Sequence, residues 1–447
     1  MTRDPYSNRA IWAIALPMIV SSVSVPLVGI VGTGVLGHLD DAVYLASVAA
    51  AAQLFSILFV AFNFLRMGTT GITAQAHGSG AHNPGASTAI RQALGEAIIV
   101  ALALGIVVVI LQAPISRAAF AIIGAEPEVT NYGRQYFDIR VWSAPATLFN
   151  YAALGWLLGM QNARGPLAIT LVINLSNVAL DLWFVLGLGL KVRGVATGAL
   201  LAELAGAAVA VWLLRRELRR YPGSWTGTRL GDLQSYRRLL KINGNLFIRT
   251  LALMFTFGFM TAWGARMGSI FLAANALLLN FQWFTSYALD GLANAAEALV
   301  GKAVGARDRD GMLRAVRRTL VWSVGFGAIF SLAFWIAGAA IIRTLTSLPD
   351  IRETALEYLP WVVVLPLISV WSFFYDGVYV GATLSREMRV VMTSAAALVF
   401  LPVWFITQEL GNHGLWLAFT AFMALRGLGM HLWFNRLKGT LANGQAH

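Results

Sequence analysis

In the segment LVINLSNVALDLWFVLGLGL, Asn174, Asn177 and Asp181 recur at i, i+3 and i+7 and fall on one face of a helix. A carboxylate lined by amides in so apolar a stretch is equipped to hold a proton or a sodium ion, because the amide oxygens can complete a coordination shell. Asp290 and Glu297 stand at i and i+7 in SYALDGLANAAEALVGKAVG, with Asn294 between them. Arg249, in NLFIRTLALMF, is the cation expected to neutralise Asp290, since an unpaired charge in hydrocarbon is costly. Asp376 is flanked by Phe374, Tyr375 and Tyr379, a setting that suits a cationic aromatic substrate through charge and cation–π contact.

Further polar residues sit in apolar surroundings. Arg66, Arg140, Asn150, Tyr375 and Tyr379 are candidates for lining a substrate cavity, and Asp138 is the expected partner of Arg140. Glu203 is a weaker candidate for a proton path, while Glu96 lies close to a basic end of its span. Each also has a plainer reading, as a polar helix-packing face or a structural ion pair. The tryptophans Trp142, Trp156, Trp183 and Trp283 read first as packing or interfacial residues.

The elements that must position these groups are membrane helices. Of 447 residues, 58% are hydrophobic and 12% charged, a balance far from that of a water-soluble domain. Apolar runs long enough for the ~20 residues of a bilayer-crossing helix recur along the whole chain, and the first is too long for a cleaved signal. Twelve helices are expected, beginning near residues 10, 43, 88, 128, 165, 194, 239, 270, 311, 352, 387 and 413. Pro17, Pro26, Pro145 and Pro366 fall inside them and permit bends.

Alternate loops differ in charge. One side carries Arg9, Arg91, Arg164, the cluster from Arg215 to Lys241, then Lys302 to Arg318, Arg386 and Arg436; the other carries Asp40, Asp41, Glu126, Glu128, Asp350, Glu353 and Glu409, with fewer basic residues, Lys191, Arg193, Arg266 and Arg352. The positive-inside rule then places both termini in the cytoplasm of a cell inner (plasma) membrane. The formal charge of +12 is spread over these short loops and forms no basic domain, so no nucleic-acid partner is expected. With no cysteine there is no disulfide or thiolate site; the six histidines show no ligand spacing, and no metal or cofactor is expected beyond a coupling H+ or Na+.

The chain repeats itself. LASVAAAAQ (45–53) resembles LAANALLLN (272–280), AQAHGSGAHN (74–83) resembles GKAVGARDRD (301–310), and LGWLLGMQNAR (154–164) resembles DGVYVGATLSR (376–386), at offsets of about 220 to 230. The polar stretch 215–238 lies at the midpoint as a linker. The expected architecture is all-α and integral to the membrane, twelve transmembrane helices in two pseudo-symmetric six-helix lobes, residues 1–221 and 222–447, with substrate between or within the lobes.

The stretches ALPMIVSSVSVPLVGIVGTGVLGHL, FLRMGTTGITAQAHG, RVWSAPATLFNYAALGWLLGMQNARGPL, NVALDLWFVLGLGLKVRG and ALDGLANAAEALVGKAVGA together resemble the multidrug and toxic compound extrusion (MATE) family, in its DinF-like branch of the MOP superfamily. The resemblance covers essentially the whole chain. It implies a two-lobed antiporter in which a first-span aspartate, in a V-D-T motif, forms a cation site with an Asn and an Asp of the fifth span and a Thr of the sixth. Asn177 and Asp181 match the fifth-span pair, but this chain has Gly32 in place of the first aspartate and Ala199 at the threonine position, with Thr197 nearby. Coupling is then expected to rest on Asp181 helped by Glu203, or on Asp290, Glu297 and Asp376 in the second half.

The function these readings favour is secondary active export of organic, often cationic or amphipathic, small molecules in exchange for protons or sodium by alternating access, by a monomer in contact with membrane lipid. The alternative is a lipid or lipid-linked oligosaccharide flippase of the same superfamily. An enzyme is disfavoured: the chain has no metal-ligand cluster, nucleophile elbow or glycine-rich phosphate loop. Asp40 and Asp41, between the first two spans, read as a cap for the second helix.

Overall fold

The computed structural model describes residues 4–37, 41–81, 85–222, 225 and 230–442. The chain is 90% helical, without strands among the described residues, and its helices group into twelve successive spans. We number them α1 (Asn8–Leu36), α2 (Ala42–Phe62 and Phe64–Gly78), α3 (Ala86–Ile110 and Gln112–Ile123), α4 (Pro127–Arg140 and Ala144–Gly159), α5 (Arg164–Asp181), α6 (Lys191–Leu218), α7 (Tyr236–Met267), α8 (Ser269–Gly305), α9 (Arg309–Leu345), α10 (Pro349–Gly381), α11 (Ser385–Ser394 and Leu401–Thr407) and α12 (Asn412–Ala442). Every start lies within a few residues of its expected position.

Local chemistry explains the boundaries. Asp41 caps α2: its Oδ1 accepts the Val43 amide at 2.9 Å; its neighbour Asp40 lies outside the described residues. Gly124 ends α3 at φ 61°, a left-handed conformation that glycine adopts without strain. Pro145 follows a tight 3-10 turn at Val141–Ser143 that bends α4, since proline leaves a backbone carbonyl without its usual donor.

Among the described residues, ten helices are long and apolar enough to cross a bilayer on length and composition alone. The spans outside that set are α4 and α8. The interior of α8 is polar, with Asn275, Gln282, Asn294 and Glu297 all buried, because this helix is enclosed by protein rather than lipid.

The chain divides into two compact units, Val20–Leu239 and Met1–Ile19 with Leu240–His447. The duplication is visible inside each. In the first unit Gly155 and Gly159 of α4 lie so close to α2 that an added Cβ at 155 would stand 2.3 Å from the Arg66 carbonyl oxygen. In the second, Gly377 and Gly381 of α10 do the same against α8, 2.1 Å from the Ala293 oxygen and 2.3 Å from that of Glu297. Both are small-xxx-small crossings, the device by which membrane helices bring their backbones together. Each unit also carries one widened π-helical turn, Leu182–Gly187 after α5 and Ala395–Phe400 within α11.

Candidate functional site

In the first unit the carboxylate singled out by spacing, Asp181, is 3% exposed. Asn177 donates its Nδ2 to Asp181 Oδ1 at 3.4 Å, across one turn of α5. The opposite wall is α6, where glycine lets the carboxylate approach closely: a Cβ on Gly198 would come within 2.5 Å of Asp181 Oδ1, so one of the two would have to shift. The π-turn begins at Leu182, the next residue, a local widening common at functional positions in helices. Asn174 shares that face but reaches elsewhere, donating its Nδ2 to Ser24 Oγ of α1 at 2.7 Å.

That bond fixes the height of Gly32. Successive spans reverse direction, so α1 and α5 run the same way; Asp181 lies seven residues beyond Asn174 and Gly32 eight beyond Ser24, about 10 and 12 Å along their axes. Gly32 therefore lies near the height of Asp181, and a Cβ there would meet no atom of the described residues within 4 Å. This is the position to which the resemblance assigns an aspartate.

Arg140 is the cation whose field reaches Asp181. The expected partner Asp138 is exposed; instead Arg140 Nη2 pairs with Glu203 of α6 at 3.4 Å, while Nη1 donates to Ser143 Oγ at 2.6 Å and to the Ala199 carbonyl at 3.3 Å. The correction has a helical cause: Asp138 lies two residues before Arg140, about 200° away around α4. Glu203 Oε2 also accepts Asn150 Nδ2 at 2.9 Å, so Asn150 serves this network. Phe55 and Phe59 cover the guanidinium, with ring centroids 5.8 and 5.7 Å from its carbon. Arg66 Nε donates to Asn63 Oδ1 at 3.1 Å. Arg140, Asp181 and Glu203 thus share the α4–α5–α6 interior, with Arg140 paired to Glu203.

The second unit is balanced differently. Asp376 Oδ2 accepts hydrogen bonds from two buried arginines, Arg249 of α7 and Arg426 of α12, the latter at 3.0 Å. The partner seen for Arg249 is thus Asp376, whereas Asp290 accepts the Ser286 hydroxyl at 3.4 Å and contributes its field to Arg426. Tyr375 and Tyr379, expected beside Asp376 as an aromatic binding face, are committed to α12: the first shares a hydrogen bond with His431 Nδ1 at 2.6 Å, the second donates to the Met430 carbonyl at 2.7 Å. Glu297 is 3% exposed and lies about 10 Å further along α8 than Asp290.

Arg426, 1% exposed, escaped the sequence reading although its signal was available, a lone arginine in the apolar run MALRGLGMHLW. Gly198 and Ser24 offered no such signal, because their importance comes from what lies opposite them.

A polytopic helical bundle with a lattice of buried charges in its spans is the architecture of a membrane transporter. The MatE family profile matches residues 17–183 and 246–406, and the chain belongs to that family. It is 43% identical to DNA damage-inducible protein F of Escherichia coli (strain K12) over 429 residues, covering 95% of this chain and 91% of that one. It is 26% identical to the probable multidrug resistance protein NorM of Rhizobium meliloti, covering 97% and 94%. Its fold matches a solved MOP superfamily transporter from Pyrococcus furiosus with a TM-score of 0.86 at 18% identity, over 98% of this chain and 97% of that one.

Proposed function

We propose that this protein is a secondary active multidrug efflux antiporter, exporting organic, often cationic or amphipathic, compounds in exchange for protons or sodium by alternating access. The observation that carries the reading is Asp181, buried within the spans and enclosed by Asn177 and Gly198, beside an Arg140 that is paired with Glu203. Uptake of that cation changes the electrostatic balance among α4, α5 and α6 and so biases one packing of the unit over another, which is what coupling requires. The name of the Rhizobium meliloti relative, a probable multidrug resistance protein, supports the substrate class. The basic and acidic loops support an inner-membrane protein with both termini cytoplasmic.

A flippase for lipid-linked oligosaccharide needs cations free to meet a pyrophosphate. Here Arg140 is paired with Glu203, and Arg249 and Arg426 share Asp376, which favours antiport. Proteoliposomes loaded with a fluorescent organic cation and given an external acid pulse or external sodium separate the two. Faster efflux under one of the gradients is expected; efflux indifferent to both, together with translocation of a labelled lipid, overturns the antiport reading.

A further inference from the structure

At the basic end of the first unit, a cavity of about 570 Å³ opens where α2, the α4–α5 turn and the last turns of α6 meet. Its wall includes His77, Asn162, Arg164, Arg216, Glu217 and Arg220. The acid in it is already satisfied. Glu217 accepts Asn162 Nδ2 at 3.2 Å and Arg220 Nη1 at 3.1 Å, so the charge of Arg220 is balanced within the wall. Asn162 is held in turn by its Oδ1, which accepts the Gly165 amide at 3.2 Å.

Arg164 and Arg216 remain. Both are exposed, and neither has a carboxylate partner among the described residues. Arg216 lies over the Trp212 ring at 5.6 Å, and that indole is 58% exposed, an arrangement that belongs at a membrane–water boundary. Met160 and Leu213 add apolar wall beside the charges. A plain topology signal needs basic residues only on the correct side of the bilayer. It does not need two uncompensated guanidinium forks facing one cavity with a neutralised acid at its base.

We propose that this cavity binds a phosphate ester, with Arg164 and Arg216 as the forks that grip the phosphate. Guanidinium matches phosphate oxygens in paired hydrogen bonds, and the space accommodates a headgroup rather than a bare ion. The chemistry is shared by an anionic phospholipid headgroup and a soluble phosphate ester. The interfacial Trp212 and the apolar wall fit the lipid source, and the proposal stands whatever compound the protein transports.

The test uses the full chain in neutral detergent micelles. Binding of dioleoylphosphatidylglycerol is compared with that of dioleoylphosphatidylcholine by native mass spectrometry, with glycerol 1-phosphate as soluble competitor. The expected result is a preference of about tenfold or more for phosphatidylglycerol, lost in Arg164→Gln/Arg216→Gln and kept within about twofold in Arg219→Gln, whose arginine is exposed on the same helix end outside the cavity. Displacement by glycerol 1-phosphate assigns the site to a soluble ester, and resistance to it assigns the site to the lipid. Equal losses in the double variant and in Arg219→Gln, or no preference between the two lipids in the unmodified protein, overturn the proposal by reducing the effect to diffuse surface charge.

Discussion

At the scale of single residues, the two units use buried charge to different ends. Asp181 lies beside an arginine that is paired elsewhere, whereas Asp376 is held between Arg249 and Arg426. Asp376→Asn strands two buried guanidiniums without their shared acceptor, and the cost expected from removing one side of a buried ion pair is about 3–5 kcal/mol. Thermal unfolding of the detergent-purified variant checks this: a melting temperature equal to that of the unmodified protein contradicts a structural role for Asp376. Gly198→Ala probes the first unit without touching a titratable group. Its methyl displaces the Asp181 carboxylate from a 2.5 Å approach, so gradient-driven efflux is expected to fall severalfold with folding retained. Unchanged efflux means the α6 wall does not position Asp181.

The carboxylates of the spans were legible in the sequence because an apolar background makes each of them conspicuous, and so was the α5 pair of Asn177 and Asp181, which one helical turn dictates. Their partners across helices were not. Arg140 took Glu203 rather than Asp138, and Arg249 took Asp376, because a partner on another helix is chosen by packing geometry that no spacing encodes.

At the scale of elements, helix positions followed from hydropathy and breakers, and the repeat followed from the match of LGWLLGMQNAR with DGVYVGATLSR. That alignment places Gly155 and Gly159 over Gly377 and Gly381, the two pairs of close backbone crossings. The π-turns were illegible, since nothing in composition announces a widened turn. The segment before α1 is tied down by charge: Asp4 pairs with Arg318 of α9 at 2.5 Å, and Arg318 also donates to the Tyr6 carbonyl at 2.8 Å. The Arg318 hydrogen bond, followed by that of the Tyr6 amide, holds the Asp4 carboxyl below its ordinary value of 3.8. A carboxyl with a folded pKa below its unfolded one adds stability above the unfolded value and loses it as pH falls through the folded one. The melting temperatures of the unmodified protein and Asp4→Asn are therefore expected to differ at neutral pH and converge below about pH 4. A difference that persists into acid assigns the effect to packing instead.

At the scale of the whole molecule, the two units hold their buried carboxylates differently: Asp376 lies between Arg249 and Arg426, whereas the arginine whose field reaches Asp181, Arg140, is paired with Glu203. Gly32 stands where the resemblance to the family implies a further carboxylate, which makes Asp181 the acid on which the proposed coupling is tested. The most direct measurement compares the unmodified protein with Asp181→Asn in proteoliposomes, reading gradient-driven efflux of a fluorescent organic cation beside its gradient-free exchange. The account predicts that Asp181→Asn keeps exchange and thermal stability but loses acceleration by the acid or sodium gradient. Acceleration equal to that of the unmodified protein would contradict it.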